Sequence, residues 1–226
     1  MAIVQSIAKR YFSAGSPDAA AFASPTTAGN AILVAVNLYN GGGAGDITVS
    51  DDSTNTYGND KSSAANARTM FFLAANIAGK ASQTVTLTPT SSDGTFWQAW
   101  ELSEVPTSSL QATSVVFYVD SDSNPNPSVT SGTPSQSGNI VFVSCGSREN
   151  FGAFALTSPA GYTVDHLDTS TGSLSSSMAH KTGSGSAQSA SWTCNTGAAG
   201  SAGIIVIKQN TTSGIVLLRR RHGLSS

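Results

Sequence analysis

The sequence predicts an all-β protein: an antiparallel two-sheet β-sandwich of the jelly-roll type with an internal pseudo-twofold repeat. Three observations predict it. Short apolar or alternating runs recur between clusters of Gly, Asn, Asp and Pro, as strands do between turns. The 226 residues include 37 Ser and 24 Thr, which suit strands and turns better than helices. Finally, a stretch around Gly29 has a counterpart around Gly138, 109 residues later.

The strand signals follow one another along the chain. Strands are predicted at residues 31–36, 46–49, 69–74, 84–88, 96–102 and 115–119, each bounded by turn-forming residues. Only two short segments, residues 17–22 and 62–67, are predicted to be helical.

The repeat extends beyond its first match. Residues 27–34 resemble residues 136–143, and each copy places Gly-Asn directly before an apolar strand. Further matches pair 47–57 with 155–162, 70 with 178, 84–88 with 189–193, and 97–102 with 202–207. Because a sheet with one apolar face must be covered, we expect the two halves to cover each other. One domain over residues 1–210, with half-repeats at about 20–105 and 130–208, is favoured over the alternative of two separate domains.

The first half also carries a recognisable motif order. A Thr-Thr-Ala-Gly-Asn lead at 26–30 is followed by Ile-Thr-Val-Ser-Asp at 47–51, Asn-Thr-Tyr at 55–57 and an aromatic strand ending near Asn-Ile-Ala-Gly at 76–79. This order resembles the jelly-roll-like β-sandwich modules of tailed-phage virion structural proteins, which have relatives in bacterial surface proteins. The resemblance implies a virion component or a surface adhesin. The first ten residues place their positive charges after the apolar stretch, the reverse of an export signal, which favours a virion protein assembled in the host cytoplasm.

Composition and charge exclude several classes of protein. Only 11% of residues are charged and the formal net charge is −2, unlike a basic nucleic-acid-binding domain. No apolar run approaches the roughly 20 residues that cross a bilayer. Nucleic acid and membranes are therefore not predicted partners, whereas the resemblance to phage virion proteins implies the major capsid protein or other virion proteins as partners.

The sequence has no Gly-x-Ser-x-Gly motif and only three histidines. Cys145 with His166 or His180 is a conceivable pair of nucleophile and base, but a buried packing cysteine is the favoured interpretation. Glu101 and Glu104 are three residues apart and so point to opposite faces of a strand, which does not suit a pair of facing catalytic carboxylates; we expect them to be solvent-facing charges that protect the strand end. No catalytic residue and no cofactor is predicted.

Two oxygen-rich segments, residues 51–55 and 120–124, have the residue types of calcium ligands. The second lacks the Gly and the Glu that complete an EF-hand loop. Asp and Asn also bend the backbone through local hydrogen bonds, so turns are the favoured interpretation and no metal site is predicted.

Trp97 and Trp100 are the candidate surface aromatics. Their spacing of three places them on opposite faces of a strand. We expect one in the core and the other on an outer or interface surface, where it could stack on a sugar.

The last segment, residues 211–226, differs from the rest of the chain. A Thr/Ser/Gly linker leads to Ile215, Val216, Leu217 and Leu218, followed by Arg219, Arg220 and Arg221. The other residues carry 8 basic and 13 acidic side chains, a net charge of −5. We predict an arm that adds a strand to a neighbouring chain and pairs its arginines with that chain's carboxylates. A solvated tail and a nucleic-acid contact are the alternatives.

These observations lead to a functional hypothesis. The sequence predicts a non-enzymatic virion protein, with a capsid decoration (cement) protein of a tailed bacteriophage as the leading role. It is expected to form a homo-oligomer, a dimer or trimer, because multivalent contacts raise affinity for a particle. The alternatives are a tail, baseplate or host-receptor (carbohydrate) binding protein, and a carbohydrate-binding module of a secreted enzyme.

Overall fold

The computed structural model describes residues 1–12, 15–39, 46–61, 67–90, 94–105, 112–119, 126–132, 138–148, 157–169, 174–193 and 200–208. Every regular element in these ranges is a β-strand, and every strand pair is antiparallel. The predicted all-β, antiparallel class is therefore confirmed. The described residues form no helix that is long and apolar enough to cross a membrane.

The first half of the chain forms two sheets. Its strands are β1 (Ala2–Phe12), β2 (Asp18–Ala21), β3 (Ala31–Tyr39), β4 (Ile47–Asp51), β5 (Gly58–Lys61), β6 (Ala67–Ala74), β7 (Thr84–Pro89) and β8 (Gly94–Ser103). The first large sheet has the order β1-β8-β3-β6-β5, and the first small sheet has the order β2-β7-β4.

The second half also forms two sheets. Its strands are β9 (Ala112–Val119), β10 (Ser128–Thr130), β11 (Ile140–Arg148), β12 (Thr163–Asp168), β13 (Leu174–Thr182), β14 (Ser189–Ser191) and β15 (Gly200–Ile207). The second large sheet has the order β12-β13-β11-β15-β9, and the second small sheet pairs β10 with β14.

Three apolar cores hold the four sheets together. Alternate side chains of β3 serve two of them: Leu33 packs toward the second large sheet, whereas Ile32 and Val34 pack toward the first small sheet. A third core lies between the second large and second small sheets and includes Val143 and Trp192. The central strands of the large sheets are thus covered on both faces, which explains why β3 and β15 are apolar on both sides.

The number of sheets differs from the sequence-based expectation. We predicted one sheet from each half, whereas each half forms a large and a small sheet. The small sheets depend on strands of only three or four residues, β2, β10 and β14, which are too short to give a clear periodic signal.

The helix predicted at residues 17–22 is wrong. Asp18–Ala21 is strand β2, which pairs with β7 from Ala21 opposite Thr84 to Asp18 opposite Leu87. Three alanines favour a helix, but so short a helix gains little by itself, whereas the edge of β7 offers backbone hydrogen bonds. The helix predicted at 62–67 lies outside the described residues except for Ala67, which begins β6.

Candidate functional site

Both candidate surface aromatics are buried, which corrects the prediction that one of them is accessible. Trp97 is 0% exposed and packs in the core between the first large and first small sheets. Trp100 is 1% exposed and packs between the two large sheets, with its ring centroid 4.9 Å from that of Phe142. The expected split across two faces of β8 is found, but both faces of this strand are covered, so neither ring is available to a sugar.

Trp97 is tied to an ion pair at the edge of its core. Its Nε1 donates to Asp18 Oδ2 at 2.8 Å, and Arg10 donates to both oxygens of the same carboxylate at 2.8 and 2.6 Å. Partial burial by itself would raise the pKa of Asp18, but the hydrogen bonds from Arg10 and Trp97 outweigh it and hold that pKa below its ordinary value. Arg10, Asp18 and Trp97 therefore link β1, β2 and β8 to one another.

Glu101 is fully buried, so its predicted solvent-facing position is wrong. Its Oε1 accepts hydrogen bonds from the Thr27 backbone N–H at 2.8 Å and from Asn30 Nδ2 at 2.6 Å. Its Oε2 accepts a hydrogen bond from Gln5 Nε2 at 2.7 Å. The carboxylate thereby joins β1 and β8 to the turn before β3. Glu104 follows the strand, is exposed, and pairs with the Met1 ammonium group.

The candidate thiol and the two candidate bases lie on different faces of the second large sheet. Cys145 is buried in the core toward the second small sheet, as the packing interpretation predicted. His166 lies on the opposite side, with its ring 5.2 Å from that of Phe96 in the first large sheet. His180 approaches Asp165, with Nδ1 2.7 Å from Oδ2, and its ring is 6.0 Å from that of Phe142. The sheet therefore separates Cys145 from both histidines.

The oxygen-rich segment at 51–55 is a turn in which Asp51 is fully engaged. Asp51 Oδ1 accepts from the backbone N–H groups of Ser53 and Asn55, at 3.0 and 3.1 Å. Its Oδ2 accepts from Asn55 Nδ2 and Tyr57 Oη, both at 2.8 Å. These four donors occupy the lone pairs of the Asp51 carboxylate that a cation would need. The local hydrogen bonds are those of a turn, in agreement with the favoured interpretation of this segment. Within the described residues, no three His, Cys, Asp or Glu side chains are placed to share a metal ion. Residues 120–124 lie outside the described residues.

A polar cluster that the sequence did not indicate lies at the centre of the contact between the two large sheets. Asn37 on β3, Thr69 on β6, Ser144 on β11, Ser176 on β13 and Ser201 on β15 are each 0% exposed. Asn37 is the hub of this cluster and bonds to side chains from both halves. The only signal for Asn37 was a single polar residue at the end of an apolar run, which gives no information on its partners.

Two large apolar side chains are exposed on β12, an edge strand of the second large sheet. Val164 is 43% exposed and Leu167 is 42% exposed. By contrast, His166, which lies between them in sequence, and Asp168, which follows Leu167, are buried. A register shift between Val164 and His166 inserts one extra residue, which puts Val164 and Leu167 on the same face despite their spacing of three. No other described strand pairs with the outer edge of β12.

A shallow groove of about 140 Å³ crosses the second small sheet. Its lining contains only small side chains: Ser128, Val129, Thr130, Ala160, Ser189, Ala190 and Ser191. Two of its hydroxyls, on Thr130 and Ser189, lie 2.9 Å apart and bond to each other. The groove offers hydroxyl groups but no aromatic ring in its lining.

The predicted arm residues Ile215, Val216, Leu217, Leu218, Arg219, Arg220 and Arg221 lie outside the described residues, as does Cys194. Comparisons of the chain with protein-family models, curated proteins and solved structures return no match.

Proposed function

We propose that this protein is a non-enzymatic structural component of a tailed-phage virion, with capsid decoration as its leading role. The observation that carries the proposal is the stack of four sheets joined through a buried contact between the two large ones. Only 11% of the residues are charged, so such a stack is suited to packing against other proteins. The motif resemblance described above supplies the phage context.

The proposal includes a jelly-roll fold for each half. In the first half, the neighbours β1-β8-β3-β6 in one sheet and β2-β7-β4 in the other follow the strand order of a jelly roll. In the second half, β9-β15-β11-β13 and β10-β14 repeat this order, and β12 flanks β13 as β5 flanks β6. These matching orders support an internal repeat related by a pseudo-twofold axis, and among the described strands only β4 has no counterpart in the second half.

Matching backbone contacts further support the repeat. The Gly29 N–H bonds to the Ile77 carbonyl, and the Ile77 N–H bonds to the Asn30 carbonyl. The same pair of bonds joins Gly138 and Asn139 to Gly183. Gly29 and Gly138 both have positive φ angles, 87° and 81°, which glycine adopts without strain.

The state of the polar side chains favours a structural role over a catalytic one. Glu101, Asp51 and Asp18 each accept at least three hydrogen bonds from neighbouring donors. Carboxylates held in this way stabilise turns and strand contacts, and they are poorly placed to exchange protons with a substrate. The carbohydrate-binding alternatives were suggested by Trp97 and Trp100, and neither ring can stack on a sugar because both are buried.

A homo-oligomer, dimer or trimer, is part of the proposal. The outer edges of β1 and β12 are unpaired among the described strands, and an unpaired edge is a template for another chain. Val4 on β1 is 50% exposed, which adds apolar surface to one of these edges. The arm of residues 211–226 is proposed to engage a neighbouring chain, and its three arginines would complement the −5 charge of the remaining residues.

Copy number in purified particles tests the decoration role. We expect the protein to be present in numbers comparable with the major capsid protein when gel densitometry is applied to virions from the host that makes it. A few copies per particle would indicate a tail or receptor-binding component instead. Complete absence from particles would overturn the virion proposal.

Deleting residues 214–226 tests the arm. We expect the melting temperature to stay nearly unchanged, because the last described strand, β15, ends at Ile207. Self-association or particle binding should weaken, and neutralising Arg219, Arg220 and Arg221 should make the remaining binding less sensitive to salt. A truncated protein that unfolds would place the segment in the core, and unchanged binding would leave it a solvated tail.

A further inference from the structure

Asn37 on β3 of the first large sheet packs directly against Gly146 on β11 of the second large sheet. A Cβ atom added to Gly146 would lie 2.9 Å from Asn37 Cβ and 3.1 Å from Asn37 Cγ, closer than side chains normally approach. The Asn37 side chain therefore occupies space that only a glycine on the facing strand leaves open.

The Asn37 amide uses all of its hydrogen-bonding groups at this point. Nδ2 donates to the Cys145 carbonyl at 3.0 Å and to Ser176 Oγ at 2.7 Å. Oδ1 accepts from Thr69 Oγ1 at 2.9 Å and from Ser144 Oγ at 3.0 Å. Three of these four partners belong to the second half. Asn37 is thus complementary to the second half both in shape and in hydrogen bonding.

Asn37 and Gly146 occupy corresponding positions in the proposed repeat. They are 109 residues apart, like Gly29 and Gly138. Within its own sheet, Asn37 stands opposite Thr69 as Gly146 stands opposite Ser176. In a contact between two related units, corresponding residues meet at the twofold axis. Here the two residues that meet differ greatly in size.

We propose that Asn37 and Gly146 form a size-complementary pair that makes the inner face of the first half specific for the second half. Two first halves would bring asparagine against asparagine, for which there is no space. Two second halves would bring glycine against glycine, leaving a void beside buried hydroxyls. The pair therefore closes this interface within one chain and directs self-association to other surfaces, such as the strand edges. The inference rests on the proposed repeat.

A mutant cycle with a small substitution tests the packing. In the wild-type background, Gly146→Ala should lower the melting temperature by several degrees, because the new methyl group meets Asn37. In the Asn37→Gly background, the same substitution should have no effect or raise the melting temperature, because the methyl group fills the vacated space. Gly183→Ala is the matched control, since its Cβ would lie 3.1 Å from Val141 Cγ2, away from Asn37. Its effect should be equal in both backgrounds.

The exchanged variant tests the correspondence of the two positions. Gly146→Asn and Asn37→Gly each create a like-with-like pair and should each lower the melting temperature. The double variant restores one asparagine and one glycine, and should melt higher than either single variant. Equal effects of Gly146→Ala in both backgrounds would overturn the size-complementary pair. The two experiments can also disagree. If Gly146→Ala is harmless only in the Asn37→Gly background but the double variant does not melt higher than the single variants, the size-complementary pair is retained and the repeat on which its specificity rests is rejected.

Discussion

Glu101 illustrates how single buried polar residues hold this protein together. Its carboxylate has no solvent exposure and accepts three hydrogen bonds of 2.6 to 2.8 Å from β1, from the turn before β3 and from Asn30. Of the three donors only Asn30 is buried, and without the carboxylate its amide would lack this acceptor, which is more damaging than the loss of the bond itself.

Glu101→Ala should lower the free energy of unfolding by about 3 kcal/mol, because the buried Asn30 amide loses its acceptor and two partly buried hydrogen bonds, from Gln5 and Thr27, are lost with it. Urea titration followed by circular dichroism measures this change. Glu104→Ala is the control: this side chain is 60% exposed, so we expect a loss of less than about 1 kcal/mol. Equal losses in the two variants would show that the hydrogen bonds of Glu101 contribute little.

Asp18 should make the protein sensitive to acid. Its pKa in the folded state is lowered by Arg10 and Trp97 despite partial burial, so its stabilising effect is present above the unfolded-state pKa of about 4. The effect is lost as the pH falls below that value toward the folded-state pKa. Asp18→Asn should therefore flatten the fall in stability below about pH 4, measured as unfolding midpoints across pH. Parallel curves for the two proteins would contradict this role.

At the residue scale, strand parity could be predicted but burial could not. The spacing of Trp97 and Trp100 correctly placed them on opposite faces of β8. What the spacing could not reveal is that both faces of β8 are covered, because that depends on two other sheets. Glu101 shows the same limit: a charged residue at the end of a strand is usually exposed, and only its three distant donors make burial tolerable.

At the scale of elements, the turn from β4 to β5 is organised by Asp51. We expect Asp51→Ala to lower the free energy of unfolding by about 2 to 3 kcal/mol, because Ser53, Asn55 and Tyr57 lose their common acceptor. Ser50→Ala, at an exposed neighbouring position of β4, should have little effect. Differential scanning calorimetry with and without Ca²⁺ separates this role from metal binding. A calcium-dependent rise in melting temperature that is lost in Asp51→Ala would indicate a metal site instead.

Long strands could be predicted, whereas short strands and irregular ones could not. Strands β3, β6 and β8 carry enough apolar residues to show their periodicity, and all three were expected. Strand β2 gives a composition typical of a helix, and tertiary pairing with β7 decides its conformation. The bulge in β12 also has no sequence signal, although it places Val164 and Leu167 on one exposed face.

At the scale of the whole molecule, the contact between the two large sheets determines whether the chain behaves as one unit. Its apolar residues come from both halves, including Leu33, Phe71 and Trp100 from the first and Phe142 and Ile205 from the second. The polar cluster around Asn37 lies within the same contact. Since neither large sheet could expose this face to water without a large loss of apolar burial, the halves should unfold together.

Phe142→Ala tests this coupling. Phe142 is 1% exposed and packs between the two large sheets, so its loss should lower the free energy of unfolding by about 3 to 5 kcal/mol. Hydrogen exchange should then show protection falling together in β3 of the first half and β15 of the second. Val129→Ala, in the core between the second large and second small sheets, is the comparison, with a smaller effect because fewer atoms are removed. If β15 loses protection in Phe142→Ala while β3 keeps it, the halves unfold separately. The two halves would then be independent units, and the proposal that the four joined sheets pack against other proteins as one unit would fail.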